Sequence, residues 1–308
     1  MRILFTAGGS PGNELIFKKL KNVHEFWFVD SDIERISSSI PLERKIEVPL
    51  VSSMNYYKKI VEFCIEKKIQ ILVPGIDEEL LRMHEAFSQT EDIKLFTPSK
   101  LFISNMLDKF ICMSTLEKSD FPVPETTKLE NIINVKYFPV ILKPRYGRGS
   151  RGIHIISQAK ELELYRDLKL LNKENYICQS FVVGQEYTVP ILNCKKSRKQ
   201  IIIPLKVFLK KGVTLTAEID FDDDIIKLCK KIASSFNEDH VYNIQLIKSK
   251  DDNAIKIFEI NPRFSTTTCM IAALGIDPFN VDLSKDDQSN LKKFQGLRLN
   301  RILTNNVR

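Results

Sequence analysis

Long apolar runs, paired cysteines and internal repeats are all missing from this sequence of 308 residues. No apolar run approaches the roughly 20 residues that a membrane-spanning helix needs. The opening segment MRILFTAGGSPG leads into a turn instead of a signal-type cleavage site. We therefore expect a cytoplasmic protein with no membrane partner. Its length and its hydrophobic content of 43% predict a globular chain with two or three packed units.

The cysteines are scattered singly, with no CxxC pair and no histidine at metal-ligand spacing. This pattern predicts reduced, mostly buried thiols instead of a zinc site. It applies to all six cysteines of the chain: Cys64, Cys112, Cys178, Cys194, Cys229 and Cys269.

The charge pattern lacks a concentrated basic segment. The net charge is +7, but the lysines are spread along the chain and few aromatic residues lie between them. We therefore predict no nucleic-acid partner. A basic cleft for a phosphorylated or anionic ligand accounts for the charge equally well.

The first hundred residues alternate strand and helix signals. Short apolar runs (RILFTA, EFWFVD and IQILVP) are separated by the amphipathic segments ELIFKKL and YYKKIVEFCIEKK. Such a βαβ series predicts a parallel sheet of Rossmann-like type.

Beyond this region the chain reads as an α+β unit. One helix is predicted over residues 100–118, and two more near residues 159–171 and 223–236. The tail after about Asp282 is polar and weakly periodic, so we expect a poorly packed end or a small appendage. Seven segments have strand character: FPVILKP, GIHIIS, YICQSFV, EYTVPIL, QIIIPLKVFL, VYNIQLIKS and AIKIFEINP.

The loop RYGRGSRGI contains Gly147, Gly149 and Gly152 at GxGxxG spacing. A dinucleotide fingerprint requires a helix after these glycines, whereas here the strand-like IHIIS follows. Two strands around a glycine loop predict a hairpin flap, whose backbone N–H groups can cover phosphates. Lys143 ends the preceding strand and can reach the same phosphates. The alternative is a mobile surface hairpin with a solvated lysine.

A second glycine-rich loop, TAGGSPGNE, follows the first predicted strand. Gly8, Gly9 and Gly12 could let a phosphate approach a helix N-terminus, and Asp30 could hold a ribose. The alternative is a common βα turn in which Asp30 caps the next segment.

The segment VYNIQLIKSKDDNAIKIFEINPR predicts a β-hairpin around the turn KDDN. Centring the turn on Asp252 places Gln245 opposite Glu259 and Asn243 opposite Asn261. Gln245, Glu259 and Asn261 then share one face, and oxygen ligands of this kind suit Mg²⁺ or Mn²⁺. The alternative is an exposed polar ladder. The other face carries apolar residues that we expect in a core: Ile244, Leu246, Phe258 and Ile260.

Together these segments resemble the ATP-grasp superfamily. Lys109 in LDKF, Lys143 in VILKP, the flap GRGSRG, QSFVVGQEYTV and FEINPRFS follow the family's order and approximate spacing. The sequence is most similar to the ATP-binding domains of carbamoyl-phosphate synthase large chains and related carboxylate-amine ligases. The resemblance implies an α/β plus α+β fold: a Rossmann-like preATP-grasp domain at 1–98, a small ATP-grasp subdomain with the flap at 99–180, and a large subdomain with the metal site and C-terminal tail at 181–308.

The resemblance also implies how ATP is held. Lys109 and Lys143 would bind its phosphates, and Glu186 would bind the ribose hydroxyls. Gln179 would contact adenine where the family commonly has an acidic residue. The remaining nucleotide contacts would come from the flap and from the backbone after Gln179: Gly147, Arg148, Gly149, Ser150, Gly152, Phe181 and Val182.

In the chemistry that the resemblance implies, a carboxylate attacks ATP to give an acyl phosphate and ADP, and an amine then displaces phosphate. Gln245, Glu259 and Asn261 would bind two ions of Mg²⁺ or Mn²⁺, with Glu259 bridging them. Arg263 and Lys143 would be catalytic, Arg263 by stabilising the transferring phosphoryl group. None of the four histidines falls in a matching motif, so no general base is assigned: His24, His84, His154 and His240.

Two alternatives to a ligase remain from the sequence. One is a non-catalytic ATP-binding module, and the other is a dinucleotide-dependent oxidoreductase that uses Gly8, Gly12 and Asp30. The small-molecule carboxylate and amine are not identified, and a homodimer is left open. Candidate substrate segments are GIDEEL, KKGVTLTAEI, with Thr214 and Thr216, and STTTC.

Overall fold

The computed structural model describes residues 1–90, 92–132, 135, 137–167, 173–194, 199–280 and 288–302. These residues form three sheets. The first sheet is parallel, and the other two are antiparallel.

The first sheet has five parallel strands in the order β3-β2-β1-β4-β5. Its buried strands are continuous apolar runs, as expected for a parallel sheet covered on both faces. The parallel sheet expected from the βαβ pattern is therefore present. Its strands are β1 (Arg2–Phe5), β2 (Glu25–Asp30), β3 (Lys45–Glu47), β4 (Ile71–Val73) and β5 (Lys94–Leu95), and its helices are α1 (Asn13–Leu20), α2 (Tyr56–Glu66) and α3 (Leu80–Ala86).

Two helices, α4 (Lys100–Leu107) and α5 (Lys109–Lys118), replace the single helix predicted over 100–118. The break lies at Asp108, which has an extended backbone and caps α5 by accepting hydrogen bonds from two of its backbone N–H groups. A strong N-cap residue inside a helical pattern therefore starts a new helix. Both helices pack on the third, largest sheet, where Phe102 and Met113 are buried.

The second sheet has four antiparallel strands in the order β6-β9-β7-β8. The glycine-rich flap is the connection between β7 and β8, as the sequence predicted. The helix predicted near residues 159–171 is described as far as residue 167, and the rest of that prediction lies outside the described residues. The elements are β6 (Thr126–Lys128), β7 (Val140–Pro144), β8 (His154–Ile156), α6 (Ala159–Asp167) and β9 (Tyr176–Ser180).

The third sheet has the order β15-β14-β10-β12-β13-β16, with β11 also paired to β10. Its strands are β10 (Gly184–Cys194), β11 (Lys199–Ile202), β12 (Leu205–Lys211), β13 (Val213–Ile219), β14 (His240–Ser249), β15 (Ile255–Asn261) and β16 (Arg298–Asn300). The amphipathic helix α7 (Asp223–Phe236) covers one face, and α8 (Cys269–Ala273) follows β15.

One strand prediction in this sheet was wrong. The run QIIIPLKVFL is not one strand, because Pro204 lacks a backbone N–H and separates β11 from β12. Most of KKGVTLTAEI, a candidate substrate segment, forms strand β13, which was absent from the predicted strands and pairs with β12.

The C-terminal segment also differs from the expectation of a poorly packed end. Residues 288–294 form a 3₁₀ helix, and β16 pairs with β13. Leu291 and Leu299 are buried in the main core. These two leucines are isolated in a polar segment, so the hydropathy of the segment did not indicate that it packs against the core. Residues 281–287 and 303–308 lie outside the described residues.

All six cysteines are free thiols and five are buried, which confirms that prediction. Within the described residues, no helix has the length and apolar character needed to cross a membrane. The domain boundaries at residues 98/99 and 180/181 stay predictions.

Candidate active site

A cavity of about 570 Å³ lies where the flap, the second sheet and the third sheet meet. This volume is within the usual range of small-molecule sites. Of the fifteen predicted site residues, Gly152 alone lies outside its wall. The other fourteen line the cavity: Lys109, Lys143, Gly147, Arg148, Gly149, Ser150, Gln179, Phe181, Val182, Glu186, Gln245, Glu259, Asn261 and Arg263.

The predicted register of the β14–β15 hairpin is confirmed at the site. Gln245 lies opposite Glu259, and Asn243 lies opposite Asn261. The register then shifts by one residue, because Leu246 pairs with Ile257 instead of Phe258. On an ideal strand, neighbouring side chains such as those of Phe258 and Glu259 point to opposite faces. Because of the bulge, both line the cavity.

The bulge corrects the prediction for Phe258. Ile244, Leu246 and Ile260 are buried in the core as expected, whereas Phe258 lines the cavity. Its ring centroid lies 5.4 Å from Lys143 Nζ and 5.7 Å from Lys210 Nζ. An aromatic face at this distance attracts both ammonium groups. A bulge of one residue leaves no pattern in the sequence, so Phe258 was assigned to the wrong face.

The two predicted phosphate lysines are buried in the cavity wall. Lys143 Nζ donates a hydrogen bond to the carbonyl oxygen of Phe258 at 3.0 Å. Burial lowers the pKa of Lys143 to about 8; the Glu259 carboxylate opposes this shift and the charge of Lys109 adds to it. Lys109 Nζ donates to the Gly147 carbonyl oxygen at 2.7 Å and lies 3.3 Å from Glu259 Oε1. The lysines are thus held by backbone oxygens and by a single carboxylate.

Lys210 belongs to the site but was missed in the sequence. It lies near the end of β12, and its Nζ donates to Glu186 Oε1 and, at 3.2 Å, to Gln245 Oε1. It therefore joins the predicted ribose ligand to a predicted metal ligand. The available signal was the lysine pair before Gly212, and nothing in that signal distinguishes Lys210 from Lys211.

Arg263 is buried and forms an ion pair with Asp77. Burial opposes its charge, but the Asp77 carboxylate outweighs burial and raises the pKa of Arg263. Asp77 belongs to GIDEEL, one of the predicted substrate segments, so this segment does reach the cavity through Arg263. The role of Asp77 as its partner was not predicted.

The predicted adenine contacts lie at the junction between the second and third sheets. Gln179 is buried, and its Nε2 donates to Thr126 Oγ1 at 2.8 Å. Phe181 and Val182 follow in the connection to β10, and Glu186 lies on that strand.

The other predicted substrate segments contribute unequally. Thr214 lines the cavity, as do Ser265, Thr266 and Thr267 of STTTC; Thr266 is half-buried and the other three are buried. Thr216 does not line the cavity; it pairs with Asn300 across β13 and β16.

Three oxygen-bearing side chains could hold a divalent cation. Gln245, Glu259 and Asn261 all line the cavity, and their oxygens suit Mg²⁺ or Mn²⁺. Asn261 Nδ2 is buried without a hydrogen-bond partner among the described residues, so this N–H group could donate to a ligand in the cavity while Asn261 Oδ1 faces a cation. Within the described chain, no three His, Cys, Asp or Glu residues form a metal-binding group. The donors therefore fit a hard cation that takes one carboxylate and two amides.

The N-terminal glycine loop is closed by its own packing. The Gly9 N–H donates to Asp30 Oδ2 at 2.9 Å. A Cβ on Gly9 would lie 2.7 Å from Arg35 Cβ, and one on Gly12 would lie 2.7 Å from the Thr266 carbonyl oxygen. The close packing of neighbouring protein segments therefore accounts for these glycines. They are not evidence for a dinucleotide site.

The matches to known proteins agree with this geometry. A family model described as "ATP-grasp domain" matches residues 106–267. A D-alanine–D-alanine ligase from Petrotoga mobilis is 26% identical over 170 residues, which cover 50% of this chain and 56% of the ligase. A carbamoyl-phosphate synthase from Methanobrevibacter smithii is 22% identical over 304 residues, 89% of this chain and 78% of the synthase. The chain thus spans little more than half the length of the first of these relatives.

Solved structures show the same fold at low sequence identity. The biotin carboxylase domain of Hydrogenobacter thermophilus 2-oxoglutarate carboxylase, in complex with MgADP and bicarbonate, has a TM-score of 0.72 at 14% identity, over 96% of this chain and 72% of that one. An N5-carboxyaminoimidazole synthetase from Staphylococcus aureus, complexed with ADP, has a TM-score of 0.71 at 12% identity, over 92% and 76%. With a family model that covers more than half of its length, the chain belongs to the ATP-grasp family.

Proposed function

We propose that this chain is an ATP-dependent ligase that activates a small-molecule carboxylate as an acyl phosphate and joins it to an amine. The observation that carries the proposal is the cross-strand pair Gln245 and Glu259, which faces Lys109, Lys143 and Arg263 in one cavity. Oxygen donors for a cation and buried cationic groups are the parts that phosphoryl transfer requires. The names of the relatives support a ligase, and they do not identify the substrates.

The nucleotide is proposed to lie along the cavity from the sheet junction to the hairpin. Gln179 and the backbone of Phe181 and Val182 would contact adenine, and Glu186 would accept hydrogen bonds from the ribose. Lys109 and Lys143 would bind the phosphates beneath the flap. Because Lys210 contacts Glu186, it would have to move or share that carboxylate when the ribose binds.

Gln245, Glu259 and Asn261 would hold the divalent cations, with Glu259 shared between two ions. When bound, Mg²⁺ or Mn²⁺ would neutralise phosphate charge and orient the phosphates. Lys109 now lies 3.3 Å from Glu259, so its ammonium balances the charge of the carboxylate within the site.

In the proposed reaction, a carboxylate oxygen attacks the γ-phosphorus and the bond from phosphorus to the ADP oxygen breaks. Arg263 and Lys143 would stabilise the charge on the transferring phosphoryl group. The amine then attacks the acyl carbon, the bond to the phosphate oxygen breaks, and phosphate leaves with its electron pair. Among the described residues no histidine lines the cavity, so we assign the amine's proton to solvent.

ADP release measured with a panel of carboxylates and amines tests the proposal. Hydroxylamine traps an acyl phosphate as a hydroxamate, and Glu259→Ala should abolish both signals. Glu85→Ala is the matched control, since Glu85 pairs with Lys100 on the surface. The proposal fails if no carboxylate stimulates ADP release or if Glu259→Ala keeps full turnover. MgATP binding without any turnover would instead support a non-catalytic nucleotide-binding module.

A further inference from the structure

Three consecutive acidic residues, Asp77–Glu79, form a short turn between β4 and α3. Glu79 is fully buried and anchors the turn to the first sheet. Its carboxylate accepts hydrogen bonds from Thr6 Oγ1 at 2.6 Å, from the Tyr56 hydroxyl at 2.5 Å and from the Gly75 N–H at 2.8 Å. A buried carboxylate with this many donors fixes the backbone on either side of it.

The other two acids of the turn reach different parts of the cavity wall. Asp77 pairs with the buried Arg263, which follows β15 of the third sheet. Glu78 Oε2 accepts a hydrogen bond from Arg148 Nε at 3.0 Å, and Glu78 Oε1 lies 3.9 Å from Arg151 Nη2. Both of these arginines belong to the glycine-rich flap. One rigid turn therefore connects the first sheet to the flap and to Arg263.

Among the residues that the structure describes, the flap has few other polar contacts outside itself. The Gly147 carbonyl oxygen accepts from Lys109 Nζ. At the tip the flap passes close to β12–β13, where a Cβ on Gly212 would lie 3.3 Å from the Gly149 carbonyl oxygen. Gly147 and Gly149 have φ values of +127° and +72°, which favour glycine. A backbone of this kind can change conformation easily, so side-chain ion pairs can decide its position.

We propose that Glu78 is a positioning residue that holds the flap closed over the nucleotide cavity by pairing with Arg148 and Arg151. The inference rests on the proposed function insofar as the cavity binds a nucleotide. The first domain then contributes directly to nucleotide retention, through a carboxylate that touches neither ATP nor the cation.

The expected effect is modest because the paired groups are partly exposed. The side chains of Glu78 and Arg148 are 44% and 36% exposed, and such pairs change an equilibrium by about two- to fivefold. Glu78→Gln should therefore increase the open fraction of the flap by about two- to fivefold. The release rate of bound MgADP should rise by a similar factor.

Limited trypsin digestion measures flap opening directly, since Arg148 and Arg151 are themselves cleavage sites. Glu78→Gln keeps both arginines, so a faster cut at these positions reports opening and not a new site. MgADP release is followed by stopped-flow displacement with unlabelled ADP. Glu85→Gln is the matched control, because it removes a carboxylate of the same domain that pairs with Lys100 and not with the flap.

Charge reversal separates pairing from general destabilisation. Glu78→Arg should speed cleavage after Arg151 further, and Glu78→Arg combined with Arg148→Glu should restore slow cleavage at that bond. Only the bond after Arg151 is compared, because Glu78→Arg adds a cleavage site at position 78 and Arg148→Glu removes one from the flap. Cleavage of Glu78→Gln at the wild-type rate, or no recovery in the double variant, overturns the proposal. If the wild-type chain binds no MgADP, the proposed function fails, while the cleavage rates still decide whether Glu78 holds the flap.

Discussion

Lys143 gives a quantitative prediction, because its charge is buried in the cavity wall. Only 4% of the residue is exposed, and burial lowers its pKa from 10.5 to about 8. Between these two pH values the folded protein binds fewer protons than the unfolded chain. The free energy of unfolding must therefore rise with pH across this window, and the destabilisation is fully present below pH 8.

The expected size follows from the shift. One pKa unit corresponds to about 1.4 kcal/mol, so the whole effect is about 3 kcal/mol, of which about 2 kcal/mol should appear between pH 7 and pH 9.5. Lys143→Met cannot titrate at this position. The difference in unfolding free energy between the wild type and Lys143→Met should change by about 2 kcal/mol in favour of the wild type over that range.

Urea unfolding at half-unit steps from pH 7 to pH 9.5 measures this difference. Lys58→Met is the control, because the Lys58 side chain is 76% exposed, and its difference from the wild type should stay constant. Phosphates next to Lys143 would favour its ammonium form, so MgADP binding near pH 8.5 should take up protons in calorimetry with buffers of different ionisation enthalpy. A flat difference for Lys143→Met would refute the burial argument.

Three further predictions test other parts of the structure. Gly152→Ala should lower the free energy of unfolding, measured in urea, by about 1–3 kcal/mol. Gly152 has a φ of +70°, and a Cβ there would lie 2.9 Å from the Tyr176 hydroxyl oxygen. Gly275→Ala is the control and should lose less, since Gly275 has a φ of +83° but open space around it. Asp77→Asn should reduce kcat about tenfold or more with little change in MgADP affinity, because Arg263 loses its buried partner; equal losses in both would contradict this assignment. Leu299→Ala should destabilise by about 2–3 kcal/mol, and a silent substitution would mean that β16 is not part of the core.

The sequence predicted which residues line the cavity better than the ion pairs among them. Gln245 and Glu259 could be paired from the sequence because a hairpin fixes its own register within a few residues. The contact of Lys210 with Glu186 could not be predicted in this way, since it joins residues 24 positions apart on two neighbouring strands, β12 and β10, that no short turn connects. Pairings of this kind depend on tertiary packing and leave no local pattern.

The same distinction holds for the fold. Strands β1, β2 and β4 are apolar runs and α7 has helical periodicity, and all four were expected; the short edge strands β3 and β5 were not. The break at Asp108 was missed because the helical pattern continues past it, although Asp108 itself is a typical N-cap residue. Strand β16 has little apolar character of its own, and it is ordered by pairing with β13 and by the burial of Leu299. Local propensity is weak evidence wherever a neighbouring sheet supplies the partners.

The distribution of charge explains why composition alone could not identify the ligand. The net charge of +7 is a property of the whole chain, whereas six cationic side chains and two carboxylates line the cavity: Lys109, Lys143, Arg148, Arg151, Lys210 and Arg263 against Glu186 and Glu259. Each of the two carboxylates already pairs with a lysine. A polyphosphate bound with its cation would free these lysines for the phosphates and give the carboxylates to the cation and the ribose. In the proposed complex, ligand and cation would therefore replace one set of ion pairs with another. Phosphate would also give the buried ammonium of Lys143 an anionic partner, where a backbone carbonyl oxygen now accepts its hydrogen bond.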